Sequence, residues 1–248
     1  MTPPIVLSVG GSIVVPKDGI DVHYLESFRK MITEEVKKGN RFIIVVGGGA
    51  TARRYQAAAN AIVNLTADDI DWLGIHATRL NGHLLRAVFR DVAKHRVVKD
   101  PTKPGAWHEP VLIAAGWKPG WSTDYIAVRL AKKFHATRIV NLTNIDAVYD
   151  KDPSKHDDAR PIERISWKDF RRIVGSKWVP GANAPFDPIA SRLAQRWGMD
   201  VVITQGKDLK NVKAILSGKP FRGSLINGSE ESSHRTTIDP VIYGWGAQ

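Results

Sequence analysis

Two glycine-rich segments follow short apolar runs that predict buried strands. The first is Val9-Gly10-Gly11-Ser12, and the second is Val46-Gly47-Gly48-Gly49, which leads into a helix bearing Arg53. Glycine lacks a Cβ, so backbone N–H groups at such bends can approach an anion closely, and a helix N-terminus adds unpaired donors. Arg53 near that positive helix end is explained by a bound anion. The simpler alternative is a strand-to-helix turn with a surface arginine.

A long helix predicted from about Ala67 carries a candidate nucleoside contact. Asp71 shares a face with Gly74 and Thr78, because separations of three and seven residues return to one side of a helix. Gly74 would clear room beside the Asp71 carboxylate for the hydroxyls of a sugar or the edge of a base. An acid near a helix start is also stabilising by itself, so a structural role for Asp71 stays open.

A second candidate segment is the loop Trp117-Lys118-Pro119-Gly120-Trp121-Ser122-Thr123-Asp124. It enters a helix that Ser122 or Thr123 could cap. Capping does not account for Lys118, Thr123 and Asp124 meeting at one helix start. Hydroxyl and ammonium groups there could bind phosphate, and the carboxylate could orient a cation. A capped helix with an acidic first turn is the structural alternative.

A third segment follows the strand predicted over Arg138–Leu142 and contains Thr143, Asn144, Tyr149 and Asp152. Its acid density suggests calcium, but the glycine and closing glutamate of an EF-hand loop are absent from the required positions. Adenosine is a better match, with Tyr149 covering the base and Asp152 reaching the ribose. His76 and His83 have no metal-binding pattern around them, and we predict no protein metal site.

Short β-branched runs alternate with helical patterns along the whole chain. This alternation predicts an α/β fold, a three-layer α/β/α sandwich with a mainly parallel central sheet. Because the carboxyl ends of parallel strands meet at one edge of the sheet, the two glycine bends should lie together there. Two bends on neighbouring strands indicate a polyphosphate, or two phosphates that meet, and so favour transfer over binding alone. We expect one domain over residues 1–248, with residues 99–106 forming a loop.

The chain has 248 residues, no cysteine, and 36 Lys and Arg against 25 Asp and Glu, a formal charge of +11. We expect a cytoplasmic protein without disulfides, membrane spans or a secretion signal. The positive charge suggests anionic partners. Arg79, Arg86 and Arg90 lie dispersed along one helix, and we interpret them as a solvated face or a subunit contact instead of a nucleic-acid surface.

The motifs together resemble the amino acid kinase family, and within it the archaeal-type uridylate kinases. They are VGGS, VVGGGATARRY, DIDWLGIHATRLNGHLL, GWKPGWSTDYIAVRLA, LTNIDAVYDKDP, FDPIASRLAQRWGMDVVIT and RTTIDP, in the family's order over nearly the whole sequence. The resemblance implies phosphorylation of UMP by ATP with Mg²⁺. It also implies an acceptor lobe over residues 1–115, an ATP lobe over residues 116–248, and a homo-oligomer, with hexamers common in the family.

The resemblance also assigns roles to residues of this chain. ATP would be bound by Gly10, Gly11, Ser12, Gly49, Arg53, Thr143, Asn144, Tyr149 and Asp152. UMP would be bound by Gly47, Gly48, Asp71, Gly74, Thr78, Trp117, Lys118, Pro119, Gly120, Trp121, Ser122 and Thr123. The residues expected to act in catalysis are Arg53, Lys118 and Asp124, with Asp124 orienting cationic groups or the metal.

The chain departs from the common family pattern at several positions. Many members carry lysines where this chain has Ser8 and Asn144, which leaves Arg53, Lys118 and Mg²⁺ as the candidates to neutralise phosphate charge. Two other readings stay open: a non-catalytic nucleotide-binding or oxyanion-storage scaffold, and a kinase of another small phosphate or carboxylate acceptor. A dinucleotide fingerprint at Gly47–Ala52 would need a second strand ending in an acid about 20 residues onward, where a helix is predicted instead.

Overall fold

Nine strands and eight helices are present in the computed structural model, which describes residues 2–151, 153, 155–175 and 184–228. The strands are β1 (Ile5–Val9), β2 (Phe42–Val46), β3 (Val111–Ala114), β4 (Arg138–Thr143), β5 (Val148–Tyr149), β6 (Pro161–Ile162), β7 (Arg164–Ser166), β8 (Asp200–Gln205) and β9 (Ser224–Asn227). The helices are α1 (Gly11–Val14), α2 (Val22–Lys37), α3 (Gly49–Asn60), α4 (Ala67–Val88), α5 (Thr123–Lys133), α6 (Trp167–Val174), α7 (Pro188–Arg196) and α8 (Leu209–Leu216).

Seven strands form one sheet in the order β3-β2-β1-β4-β8-β9-β7. The first five in this order pair in parallel, whereas β9 is antiparallel to β8 and parallel to β7. Strand β1 is the middle one of these five parallel strands, and its last residue, Val9, is in register with Val46 on one side and Leu142 on the other. The mainly parallel sheet is confirmed, and it places the ends of β1, β2 and β4 side by side.

Helices cover both faces of the sheet. Along β1, Val6 packs with the helices α5, α6 and α7, while Leu7 packs with α1, α2, α4 and α8 on the other face. All five residues of β2 are buried, as expected for a strand of a parallel sheet with both faces covered. The three-layer prediction is therefore confirmed. The sheet is continuous across the two predicted lobes, and their division stays a prediction.

Local sequence signals set the helix starts near the site. Thr66 and Asp69 form a capping box at the start of α4, which satisfies two unpaired donors reciprocally. At α5, Ser122 is the cap, with its hydroxyl accepting from the Tyr125 backbone N–H, so Thr123 is left as the first helical residue. The loop predicted over residues 99–106 contains no helix or strand.

Some elements differ from expectation or lie elsewhere. The short strands β5, β6, β7 and β9 were not predicted, because runs of two to four residues give little periodicity. The RTTIDP motif, at residues 235–240, lies outside the described residues. Among the described helices, none is both long and apolar enough to cross a membrane.

Candidate functional site

The two glycine bends touch each other through bare backbone. A Cβ placed on Gly11 would collide with the Gly49 nitrogen and lie 2.5 Å from the Gly47 carbonyl carbon, and a Cβ on Gly47 would lie 2.6 Å from the Gly11 nitrogen. Gly49 has a φ of +62°, a left-handed conformation that glycine adopts without strain. The Gly47 N–H donates to the Val9 carbonyl at 2.9 Å. The predicted meeting of the bends at the sheet edge is thus confirmed.

Asn81 of α4 anchors the second bend. Its side chain is only 3% exposed, and Nδ2 donates to the carbonyl oxygens of Gly47 at 2.8 Å and Gly48 at 3.1 Å. Asn81 was not among the predicted site residues, although it lies inside the motif DIDWLGIHATRLNGHLL. A buried amide of this kind fixes the direction of two peptide planes, so the N–H groups of the bend are held in place.

Helix α4 also binds the loop of residues 116–122, which we call the acceptor loop. Thr78 Oγ1 accepts from the Gly116 N–H at 2.7 Å and donates to the Ile75 carbonyl at 2.7 Å. Asp71 Oδ2 accepts from the Gly120 N–H at 2.8 Å. Burial raises the pKa of Asp71, and the Gly120 N–H opposes that rise. Asp71 and Thr78, both predicted to contact the acceptor, therefore hold the loop, and their direct contact with the acceptor stays a prediction.

Arg79 is half-buried and binds the acceptor loop, so its interpretation as part of a solvated face was wrong, while a subunit contact stays a prediction. Its guanidinium donates from Nε to the Gly116 carbonyl at 3.1 Å and from Nη2 to the Trp117 carbonyl at 2.6 Å. It also lies 5.9 Å from the ring centroid of Trp72. Helical spacing placed Arg79 in a row with Arg86 and Arg90, but spacing within a helix does not reveal a loop that packs from elsewhere in the chain.

The space beside Gly74 is smaller than expected. A Cβ on Gly74 would lie 3.3 Å from Gln56 Nε2, and that amide nitrogen donates to the Ile70 carbonyl at 2.8 Å. The missing side chain therefore lets α3 and α4 approach, and on this side it does not open a pocket. A direct contact of Gly74 with the acceptor stays a prediction.

Aromatic rings line the acceptor loop and the helix behind it. The ring centroids of Trp117 and Trp121 are 6.2 Å apart, and those of Trp121 and Tyr125 are 4.0 Å apart. Both tryptophans pack partly on the core, and the exposed Lys118 places Nζ 4.4 Å from the Trp117 ring centroid. Packing and the cation–π contact stabilise the loop, and Pro119 and Gly120 complete its turn.

A group of polar side chains lies where β1, α5 and α7 meet. The hydroxyl of the buried Ser8 donates to Asp124 Oδ1 at 2.8 Å, and the Asp187 N–H donates to Asp124 Oδ2 at 3.1 Å. Burial, together with the negative charge of Asp187, raises the pKa of Asp124 to about 7. Burial raises the pKa of Asp187 as well. Asp124, which was predicted to act in catalysis, thus accepts hydrogen bonds from β1 and from the start of α7. The carboxyl of Asp187 lies near enough to raise its pKa.

Five of the residues predicted to bind ATP lie at the ends of β1 and β4, namely Gly10, Gly11, Ser12, Thr143 and Asn144. The Gly10 N–H donates to the Leu142 carbonyl at 2.8 Å, which joins the first glycine bend to β4. Thr143 Oγ1 lies 3.2 Å from Asn144 Oδ1, within hydrogen-bond distance, and Gln205 donates to the Asn144 carbonyl at 3.0 Å. These contacts bring together the first bend, Thr143 and Asn144 at one edge of the sheet.

Tyr149 and Arg53, also predicted to bind ATP, lie on β5 and α3. Tyr149 donates its hydroxyl to Asp146, at 3.0 Å to Oδ1 and 3.2 Å to Oδ2. Asp152 lies outside the described residues. Arg53 is exposed on α3, in the second turn after the glycines, while its neighbour Arg54 donates to the Lys17 carbonyl. Among the described residues, no cluster of three or more His, Cys, Asp or Glu side chains could hold a metal ion.

Comparison with known proteins gives consistent results. Residues 3–205 match the model of the amino acid kinase family. A uridylate kinase from Methanococcus aeolicus is 31% identical over 90% of this chain and 99% of its own length, and one from Thermoplasma volcanium is 33% identical over 94% and 100%. The crystal structure of uridylate kinase from Archaeoglobus fulgidus has 30% identity and a TM-score of 0.76, covering 90% of this chain and 99% of that one.

Proposed function

This chain belongs to the amino acid kinase family, and from that membership and the site geometry we propose that it transfers the γ-phosphoryl group of ATP to UMP. The observation that carries this proposal is the contact between the two glycine bends at the ends of β1 and β2, where no Cβ fits between Gly11 and Gly49. Bare backbone on both sides lets the phosphates of two nucleotides approach one another. The uridylate kinases to which the chain is similar support UMP as the acceptor.

In the proposed complex each bend binds one nucleotide. The first bend, with Thr143 and Asn144 beside it at the same sheet edge, would bind the phosphates and nucleoside of ATP. The second bend, held by Asn81, would bind the phosphate of UMP. The acceptor loop and Asp71 would surround its nucleoside. Arg53, exposed beyond the second bend, would reach the group in transit.

The reaction would be an in-line displacement at phosphorus. An oxygen of the UMP phosphate forms a bond to the γ-phosphorus of ATP while the bond from that phosphorus to the β–γ bridging oxygen breaks, giving UDP and ADP. The acceptor oxygen is already anionic near neutral pH, since the second pKa of a phosphate monoester is about 6. No general base is needed, so the protein contributes mainly positioning and charge stabilisation.

Positive charge in the site comes from few side chains. Ser8 and Asn144 occupy positions where many family members carry lysine, so we propose that Arg53 and Lys118 provide the protein's share. Without a cluster of three metal-binding side chains among the described residues, we propose that Mg²⁺ arrives bound to the oxygens of ATP. When bound, it would neutralise charge on the transferring group. Asp124 would hold the end of β1 against α5 and α7, near these phosphates.

The test is a steady-state assay of the purified protein with Mg²⁺ and ATP, in which UDP and ADP are separated and quantified. UMP, CMP and small carboxylate acceptors are compared at equal concentrations. We expect UDP and ADP in equal amounts and the highest kcat/KM with UMP. Tight ATP binding without UDP formation by a folded protein would favour the scaffold reading. Faster turnover of another acceptor would contradict UMP as the substrate but would still support phosphoryl transfer from ATP.

A further inference from the structure

Among the described residues, every hydrogen bond between helix α4 and the acceptor loop involves a backbone group of the loop. The Gly116 N–H, the Gly116 and Trp117 carbonyls and the Gly120 N–H are all bound by α4 side chains. Arg79 is the member that binds two successive carbonyls. Burial lowers the pKa of the Arg79 guanidinium, and no charged neighbour contributes to that shift. The guanidinium therefore binds neutral peptide oxygens of the loop and not a carboxylate.

Two carbonyls bound on one side determine where the following N–H groups point. All peptide bonds of the described residues are trans, and in a planar trans peptide the C=O and the N–H point in opposite directions. Because Arg79 binds the Gly116 and Trp117 carbonyls, the N–H groups of Trp117 and Lys118 point away from the guanidinium. Within the described part of the chain, neither N–H has a hydrogen-bond partner.

We infer that Arg79 is a positioning residue that aims the Trp117 and Lys118 N–H groups at oxygen atoms of the acceptor nucleotide. This inference rests on the proposed function, because that function makes residues 116–122 the acceptor loop. The exposed Lys118 ammonium, stacked on Trp117, adds positive charge beside the two donors. Successive N–H groups beside a cation form a concave site for anionic or carbonyl oxygen. The loop is thus shaped for the acceptor before the acceptor binds.

An arginine is required for this geometry. Nε and Nη2 lie in one plane and reach two carbonyls that belong to adjacent residues, as the rigid fork of a guanidinium permits. A lysine supplies a single ammonium on a flexible chain and would hold one carbonyl at a time. The Trp72 ring lies beside the guanidinium and limits its movement. Arg79→Lys should therefore keep part of the effect, and Arg79→Ala none.

The experiment compares Arg79→Ala and Arg79→Lys with the wild-type chain. UMP binding is measured by calorimetry without ATP, and the KM values for UMP and ATP are measured separately. For Arg79→Ala we expect UMP affinity to fall and the UMP KM to rise about tenfold, equivalent to about 1.4 kcal/mol. The ATP KM should stay within about twofold, because the residues predicted to bind ATP lie on other elements. Arg79→Lys should fall between wild type and Arg79→Ala.

Arg90→Ala is the matched control, since Arg90 lies just beyond the same helix, is highly exposed and, within the described part of the chain, forms an ion pair with its neighbour Asp91 alone. It should leave both KM values unchanged. A purely structural role for Arg79 would lower the active fraction with both KM values unchanged, and that result would overturn the inference. Unchanged UMP binding by Arg79→Lys and Arg79→Ala would overturn it too. Wild-type protein that binds UMP without making UDP refutes only the proposed function, whereas no UMP binding by wild type refutes both.

Discussion

Gly11 and Gly49 approach so closely that a Cβ on either one would overlap the backbone of the other. They belong to bends at the ends of β1 and β2, which are adjacent and parallel. Parallel pairing alone brings strand ends together, but only glycine lets the two chains touch there. The contact joins the halves of the site that we propose for the two nucleotides.

Replacing Gly11 by alanine should therefore separate the bends. We expect turnover of UMP to fall by about 10²-fold or more, because small displacements of reacting groups cost that much. The measurement is kcat/KM, with circular dichroism and thermal unfolding as checks on folding. Gly228→Ala is the control, since a Cβ on Gly228 would have no atom of the described residues within 4 Å, and this variant should retain activity. Wild-type turnover in a folded Gly11→Ala protein would contradict the proposed arrangement.

Asn81 should contribute mainly to the second bend. Asn81→Leu leaves the buried Gly47 carbonyl without the Asn81 donor, which costs about 1 to 3 kcal/mol, while the Gly48 carbonyl keeps a bond of 3.4 Å from the Ala52 N–H. We expect a lower free energy of unfolding in urea and a raised UMP KM. Asn60→Ala should change neither, because Asn60 is exposed and its side chain accepts one long hydrogen bond, of 3.4 Å, from the Leu65 N–H. A raised ATP KM with an unchanged UMP KM would contradict the role given to Asn81.

Much of the fold and the glycine bends could be predicted from the sequence because their signals are local. A strand, its glycines and the next helix are consecutive residues, and the parallel pairing of β1 with β2 then brings their two glycine bends to the same edge of the sheet. The roles of Asn81 and Arg79 could not be predicted in this way. Their partners are peptide carbonyls 33 to 38 residues away, and a carbonyl oxygen is present at every position. No residue type marks the one that will be bound.

Asp124 illustrates the same limit in another form. Its residue type and position at a helix start suggested a carboxylate that orients cationic groups or the metal, but its partner Ser8 is 116 residues away in the chain. Ser8 reaches it because α5 packs against β1 on the face of the sheet that carries Val6 and Ser8. The second carboxyl, Asp187, comes from the start of α7. The raised pKa of Asp124 depends on this assembly and has no counterpart in the local sequence.

The pH dependence of stability should reveal this carboxyl. The pKa of Asp124 rises from 3.8 to about 7 on folding, so the folded state holds its proton more tightly than the unfolded state. The stability gained from that proton is fully present below about pH 4 and is lost as the pH rises to about 7. Asp124→Asn is neutral throughout. Its free energy of unfolding minus that of wild type should therefore increase from pH 4 to 7 and be constant above.

Ser8→Ala provides a second variant for the same measurement. The Ser8 hydroxyl lowers the pKa of Asp124, against the effect of burial. Without this hydroxyl the pKa of Asp124 should rise further. The free energy of unfolding of Ser8→Ala should therefore continue to fall above pH 7, where that of the wild type is already constant with respect to Asp124. Taking differences between variants cancels the exposed acids whose pKa values are lowered, such as Asp100 and Asp208. A pH-independent difference between Asp124→Asn and wild type would show that Asp124 titrates normally.

Arg53 should matter for the reaction and little for the fold. Its side chain is exposed, and positive charge near a helix start does not favour the helix, so Arg53→Ala should change the free energy of unfolding by less than about 0.5 kcal/mol. Removal of a cation that stabilises charge in the transition state typically lowers kcat by about 10²- to 10³-fold. Arg54→Ala, one residue along, loses only a bond to the Lys17 carbonyl and should keep nearly full kcat. Equal losses in both variants, measured at saturating ATP and UMP, would mean that general positive charge on α3 is sufficient and that Arg53 has no specific role.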